Sequence, residues 1–448
     1  MKRVVVSIVI IGIIALSWLM YFKNIISNNI EYSKAMDKAN NYYSRKLYDP
    51  AIENYKKALS IKSTKECSLK MLDAYKKRSE NIDVYGTNAN QEYIDELKDV
   101  FSEYKDEESI AIDLSDALIV DDNYEEAYDV LCESYDDSHS SKVKKKIDKL
   151  KYMNHFENVK VVDFKPFYGG KSSATDGMKW ATIESDATVG SGFENSFQNQ
   201  SNKAGCILIG KEKEAFLYDG EQKVLGRFSG KIEDASMYSN NRIAIKNNGK
   251  YSVYDKTGKK LFGQYDNIST FQDEKAAVLQ SGKWSIIDEN GEVEDKTDFD
   301  DIVFDNGGHY LNDGVIVASK GKKYSLFNDS FKQIIDENYD AIDKATSDKI
   351  YAFKKDGKWG FIDDDGEVVI KPEYEEAKSF SNGLAAVCKN SKWGFIDKNN
   401  KMVIKNKYEG GDYFTKEGTC FVKEGDPYEK DGYSWKLLKL EIGIPKNK

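Results

Sequence analysis

The chain is poor in the residues that build metal and nucleophile sites. Its 448 residues include 3 histidines, His139, His155 and His309, far apart and outside any H-E-x-x-H pair, which argues against a zincin-type centre. The 5 cysteines, Cys67, Cys132, Cys206, Cys388 and Cys420, are odd in number and lack C-x-x-C, so a zinc ribbon and a thioredoxin-type motif are excluded. Cys388 and Cys420 could pair, but isolated half-buried thiols are the simpler reading. Only 5 prolines argue against a Pro-rich or collagen-like chain. Basic residues are outnumbered, 66 Lys and Arg against 76 Asp and Glu, and the net charge of −10 offers no footprint for nucleic acid. Gly169-Gly170-Lys171-Ser172 lacks the first glycine of a phosphate loop, since Lys165 stands there. Asp363-Asp364-Asp365-Gly366 lacks calcium-loop spacing, with Phe361 at a ligand position. No G-x-S-x-G elbow occurs.

What is present suits a folded chain: 40% hydrophobic and 12% aromatic residues, with 29 Tyr and 21 Phe. One long apolar run stands out, Val4 to Phe22, after Lys2-Arg3 and before Lys23. As a helix it would span roughly 28 Å, about the hydrocarbon thickness of a bilayer. Trp18 and Tyr21 would suit an interface belt. The expectation is therefore a single-pass anchor over 4–22 with membrane contact through those residues. The C-terminal regions would lie outside the cytoplasmic membrane. Ala15-Leu16-Ser17 keeps a cleaved signal, and so a secreted chain, as the alternative.

Residues 31–155 read as helix pairs. Ala35, Ala39 and Tyr43 share one helical face. Leu47-Tyr48-Asp49-Pro50 makes a turn into Ala51-Ile52, Tyr55 and Ala58-Leu59. Ile112 to Leu131 repeats the arrangement, with Leu69–Tyr85 and Tyr93–Tyr104 as intervening helices and Ser141–Tyr152 as a Lys-rich cap. The pattern resembles tetratricopeptide repeats, without their first-helix Trp and Gly; a generic helical bundle is the alternative. Stacked pairs of this kind would offer a groove for a protein or peptide.

The strongest signal is a repeat. Lys358-Trp359-Gly360-Phe361-Ile362-Asp363 recurs as Lys392-Trp393-Gly394-Phe395-Ile396-Asp397. Worn copies begin at Lys283, with Trp284, and at Lys250 and Lys323; further ones lie at Lys213–Asp219, Met178–Ile183 and Tyr433–Leu438. The aromatics at 251, 284, 324, 359 and 393 are 33, 40, 35 and 34 residues apart. Such a period means stacked supersecondary units. Within a unit, Leu384–Cys388, Trp393–Ile396 and Met402–Ile404 alternate as strands. Asn-Gly, Asp-Gly and Asn-Asn pairs close the hairpins. Four short strands per unit predict a β-propeller, with a β-solenoid or open meander as alternatives. Residues 165–205 fit the repeat poorly and read as a degraded first unit or an inserted loop.

The stretch 357–397 resembles the unit of the WG-repeat (KWG-repeat) family of bacterial proteins almost throughout. It carries Gly366, Val369-Ile370, Pro372, Tyr374, Phe380 and Gly383-Leu384-Ala385 besides the core motif. The resemblance implies a binding module without an established activity, and it fits a neighbouring tetratricopeptide-like region and an N-terminal membrane segment. Repeat residues Trp284, Trp359, Gly360, Asp363, Trp393, Gly394 and Asp397 are expected to be structural. Flat rings would cover seams, glycines would allow close strands, and aspartates would bond turn amides.

The expected organisation is an anchor or signal over 1–23, an all-α helical-repeat region over 31–155 and an all-β repeat domain over 156–448, clearest at 240–440. The expected function is non-catalytic binding, without metal or cofactor. A protein or peptide would sit on the helices, and an envelope glycan or protein on the β-repeats. The alternative is an envelope hydrolase using carboxylates on the β-repeats, marked by a buried carboxylate cluster with displaced pKa values.

Overall fold

The computed structural model describes residues 2–80, 88–190, 195–211, 213–425 and 432–443; side chains of 2–16 and of Tyr433 lie outside the description. The chain forms two compact units, residues 1–151 and 152–448.

The first unit contains seven described helices: α1 (Lys2–Ser44), α2 (Tyr48–Ile61), α3 (Lys65–Ser79), α4 (Asn88–Glu103), α5 (Glu108–Val120), α6 (Tyr124–Ser138) and α7 (Ser141–Leu150). Each packs on its sequence neighbours, and small residues sit where they touch. Ala39, Ala51, Ala58, Ala74, Ala111 and Ala127 are fully buried in one core with Leu97, Leu114 and Leu131. Side-chain caps start three of the helices. Thr64 accepts from the amide of Cys67, Asn123 from that of Glu126, and Ser140 from those of Lys142 and Val143. In α7, Val143, Ile147 and Leu150 form the buried face, while lysines occupy the rest.

The expected membrane-spanning helix over 4–22 is corrected here. Among the described residues, no helix is long and apolar enough to cross a membrane. The run is the opening of α1, which continues without a break for 43 residues through Lys23, Glu31, Lys34, Asp37 and Lys38. The far end of α1 packs into the helical core through Ala35, Met36 and Ala39. The side chains of 4–16 lie outside the described residues. The expected membrane contact through 4–22 is withdrawn with the helix.

The second unit is a ring of eight small antiparallel sheets, an eight-bladed β-propeller. Blades 1 to 7 cover residues 163–184, 197–229, 234–265, 267–296, 301–327, 341–374 and 376–408. Blade 8 takes three strands from 410–440, and its outermost strand is residues 154–161, from the start of the unit. That strand pairs Asn154 with Leu440 and Val161 with Trp435, so the two ends of the unit close the ring. A closed ring rules out the solenoid and the open meander. The poorly fitting stretch after Lys165 holds blade 1 and the start of blade 2. Every repeat copy found in the sequence is the third strand of a blade.

Apolar clusters fill the seams between consecutive blades from 2 to 8 and between 8 and 1. The seam between blades 1 and 2 is polar. There Gln198 donates to Thr182 Oγ1 at 2.7 Å and to Ser173 Oγ at 3.1 Å, and Ser173 donates to the Asn199 carbonyl at 2.5 Å. All five cysteines are free, and all except Cys132 are buried.

Candidate functional site

Strand register places the repeat aromatics on one ring. Trp180, Tyr251, Trp284, Tyr324, Trp359, Trp393 and Trp435 each open the third strand of a blade. Each pairs with a second-strand residue that itself pairs with the first residue of the innermost strand, as Trp359 with Lys354 and Lys354 with Ala341. Blade 2 has Ala215 there. Trp284 is 2% exposed and belongs to the seam of blades 4 and 5. Trp359 and Trp393 are half-buried. They pack against their seams and also face a cavity.

Gly360 and Gly394 follow these tryptophans at a register shift towards the fourth strand. A Cβ on Gly394 would stand 2.6 Å from the Asn406 amide nitrogen and the Ile404 carbonyl, and one on Gly360 2.5 Å from the Ile370 carbonyl. Both glycines permit close backbone approach. Asp363 and Asp397 sit four residues after the tryptophans, roughly 13 Å along the strand and at the other end of the ring. Asp397 accepts from the amides of Asn399 and Lys401, both at 3.0 Å, and Asp363 from those of Asp365 and Glu367 at 3.2 and 2.8 Å. The structure therefore does not bring the tryptophans and aspartates together.

The cavity holds about 670 Å³ and lies at the axis, at the end where second and third strands turn. Trp359, Trp393 and Trp435 line it from blades 6, 7 and 8. Its floor is a charged group just past the innermost strands: Asp343, Lys344, Lys378 and Asp412. Tyr413, buried beside them, donates to Asp343 Oδ2 at 2.5 Å, and the Ser379 amide donates to the same oxygen at 2.7 Å. Both lysine ammoniums lie over the Tyr413 ring, 5.3 Å from its centroid. Burial, then Asp343, pushes the Tyr413 hydroxyl far above the ordinary tyrosine range. Asp412 is 6% exposed, and among the described residues no side chain donates to its carboxylate. Burial raises its pKa, opposed by Lys378 and Lys344 and assisted by Asp343.

At the opposite end of the ring a loop reaches across the axis. The loop between the first two strands of blade 5, residues 304–315, is longer than its counterparts in the other blades. Asn306 donates to the Phe167 carbonyl of blade 1, directly across the axis, at 3.5 Å. Asp305 folds the loop by accepting from the amides of Gly307 and His309 at 2.8 and 2.9 Å, and His309 Nδ1 lies 3.1 Å from it. Burial would raise the Asp305 carboxyl, but His309 and these donors hold it below the usual range. The Tyr168 ring lies 5.5 Å from the His309 ring.

Sequence reasoning missed Trp435, Lys344, Lys378, Asp412 and Tyr413. The one available signal for the channel residues was charge placed two residues after the acidic start of an innermost segment, as in Glu376-Ala377-Lys378. The long blade 5 loop also left a mark: its extra residues make the 40-residue spacing from Trp284 to Tyr324. Among the described residues, no group of three or more His, Cys, Asp or Glu side chains could hold a metal.

The family described as "WG containing repeat" matches residues 252–284, 359–393 and 393–428. The match spans parts of blades 3, 4, 6, 7 and 8. It includes no residue of the helical unit, so the tetratricopeptide-like reading rests on sequence alone. No curated protein matches the chain. Among solved structures, BamB from Moraxella catarrhalis is similar at 9% identity and a TM-score of 0.44, over 64% of this chain and 99% of that one. Hsv2 from Kluyveromyces lactis is similar at 9% identity and a TM-score of 0.36, over 65% and 100%. Neither likeness bears on function.

Proposed function

We propose that the protein is a non-catalytic binding protein whose propeller seats a ligand at the cavity under Trp359, Trp393 and Trp435. The observation that carries this is the combination, in one cavity, of three half-buried indoles with a carboxylate that no side chain donates to. Indoles exposed at a seam could have been replaced by aliphatic residues if packing were their only task. The ligand class is an envelope glycan or protein, and the helical unit is proposed to take a separate protein or peptide partner. Export across the cytoplasmic membrane, with 1–23 as a signal segment, belongs to the same proposal and rests on sequence alone.

A photo-cross-linking residue tests the seat. In cells, p-benzoylphenylalanine replacing Trp393 should capture a macromolecule that the same residue at Val368, exposed on an outer strand, does not. Equal capture at both positions would refute the seat. Protease shaving of intact cells tests export: loss of a C-terminal tag, with a cytoplasmic control intact, is the expected result.

Hydrolysis is a second reading, favoured by one observation, the raised carboxyl of Asp412 beside Asp343. Asp343 is already engaged by Tyr413 and by the Ser379 amide, which leaves no free second carboxylate in that pair. Absence of product from ligands incubated with the intact protein is expected.

A further inference from the structure

We infer that the cavity under the three tryptophans recognises a neutral, hydroxyl-rich pyranose oligosaccharide. The inference rests on the ligand seat proposed above and names what fills it.

Charge comes first. Five carboxylates and four lysines line the cavity, so its lining is close to neutral. A polyanion would meet the carboxylates, and a polycation the lysines; neither gains across the whole lining. Hydrogen-bonding capacity narrows the class further. Asp412 is an acceptor that lacks a side-chain donor. Among the described residues, Lys344 and Lys378 have no carboxylate within ion-pairing distance, and their contacts are to the Tyr413 ring. The site therefore offers a carboxylate bonded only by the Tyr413 backbone amide, with acceptor capacity to spare, beside two lysines that have no carboxylate partner. A hydroxyl group both donates and accepts, so neighbouring hydroxyls on one ring satisfy all three.

Shape agrees. Trp359, Trp393 and Trp435 stand at equivalent register positions on consecutive blades, one blade apart. A pyranose presents one apolar C–H face and an edge of hydroxyls. The indoles can cover the face while the floor takes the edge. A volume of about 670 Å³ lies within the range of about 300–1,000 Å³ for small-molecule sites. Tyr413, held by Asp343, keeps the two ammoniums in place without using their donors.

Cellotetraose, chitotetraose, maltotetraose and xylotetraose are the probes, titrated into the full chain with tryptophan emission and calorimetry as readouts. At least one should bind saturably. Trp393→Ala should weaken it about tenfold, the loss of one aromatic contact. Asp412→Asn should weaken it about tenfold or more. Trp435→Phe, which keeps a ring, guards against loss of fold and should weaken binding less than Trp393→Ala. Urea unfolding of each variant establishes that the ring is intact. Binding untouched by Trp393→Ala and Asp412→Asn overturns the inference. So does the absence of binding by all four probes at about 10 mM. If the probes fail while cross-linking at 393 persists, the ligand is a protein and the seat stands. If both fail, the seat fails as well.

Discussion

Replacing Val161 with Asp should open the ring, and replacing its neighbour Val162 with Asp should not. Val161 lies in the strand that closes blade 8, opposite Trp435, and is 2% exposed among Phe167, Phe421 and Leu437. Val162 is one residue on and 62% exposed. Burying a valine side chain contributes about 1.5–3 kcal/mol. A carboxylate in that seam loses this and has no donor to meet it, so the total is about 4 kcal/mol or more. Whole domains are stable by only about 5–15 kcal/mol, so the effect is large. At Val162 the change should stay within about 0.5 kcal/mol. Five of the six tryptophans lie in the ring, so urea unfolding followed by tryptophan emission reports on this unit. The midpoint should fall sharply for Val161→Asp and hold for Val162→Asp. If Val161→Asp fails to fold, Val161→Ala should still cost about 2 kcal/mol. Equal midpoints for the 161 and 162 variants would refute closure by residues 154–161.

Gly394→Ala places a Cβ 2.6 Å from two backbone atoms and should cost more than about 2 kcal/mol by calorimetry. Gly357→Ala, where a Cβ meets nothing but φ is +81°, should cost about 1 kcal/mol. In the polar seam, Gln198→Leu removes three side-chain bonds, to the buried Ser173 hydroxyl, to the half-buried Thr182 hydroxyl and from the Asn195 amide. It should destabilise the ring by about 2 kcal/mol in urea, although leucine is the more apolar residue. Asp305 has a depressed carboxyl pKa in the folded ring, so its contribution is complete above the ordinary value of about 3.9 and is lost as pH falls through the folded value. Asp305→Asn should therefore lower stability at neutral pH and flatten the loss of stability below about pH 4. An unchanged acid profile would remove Asp305 from the loop's support.

Much of the propeller is legible along the chain because its causes are local. Alternation over five or six residues makes strands, and an aspartate four residues before a turn's end collects the amides that close a hairpin. Lys392 to Asp397 states both within six residues. The helical unit is legible for a similar reason, since its small residues recur at helical spacing. The apolar run at 4–22 misled because length and hydropathy say nothing of where a helix stops. The helix that contains it runs on to Ser44, and its far end packs on α2.

A β-repeat with turns of known chemistry, a helical region before it and a lack of metal-binding motifs can all be read along the chain. The number of blades, their closure by residues 154–161 and the reach of a long blade 5 loop across the axis appear only once the chain is folded. Folding alone brings Asp412, Lys378 and Lys344 beneath three tryptophans. Those residues sit in separate blades, and each blade's local pattern is complete without them. Their meeting depends on how many sheets pack around the axis, a property of the whole ring that no single repeat encodes.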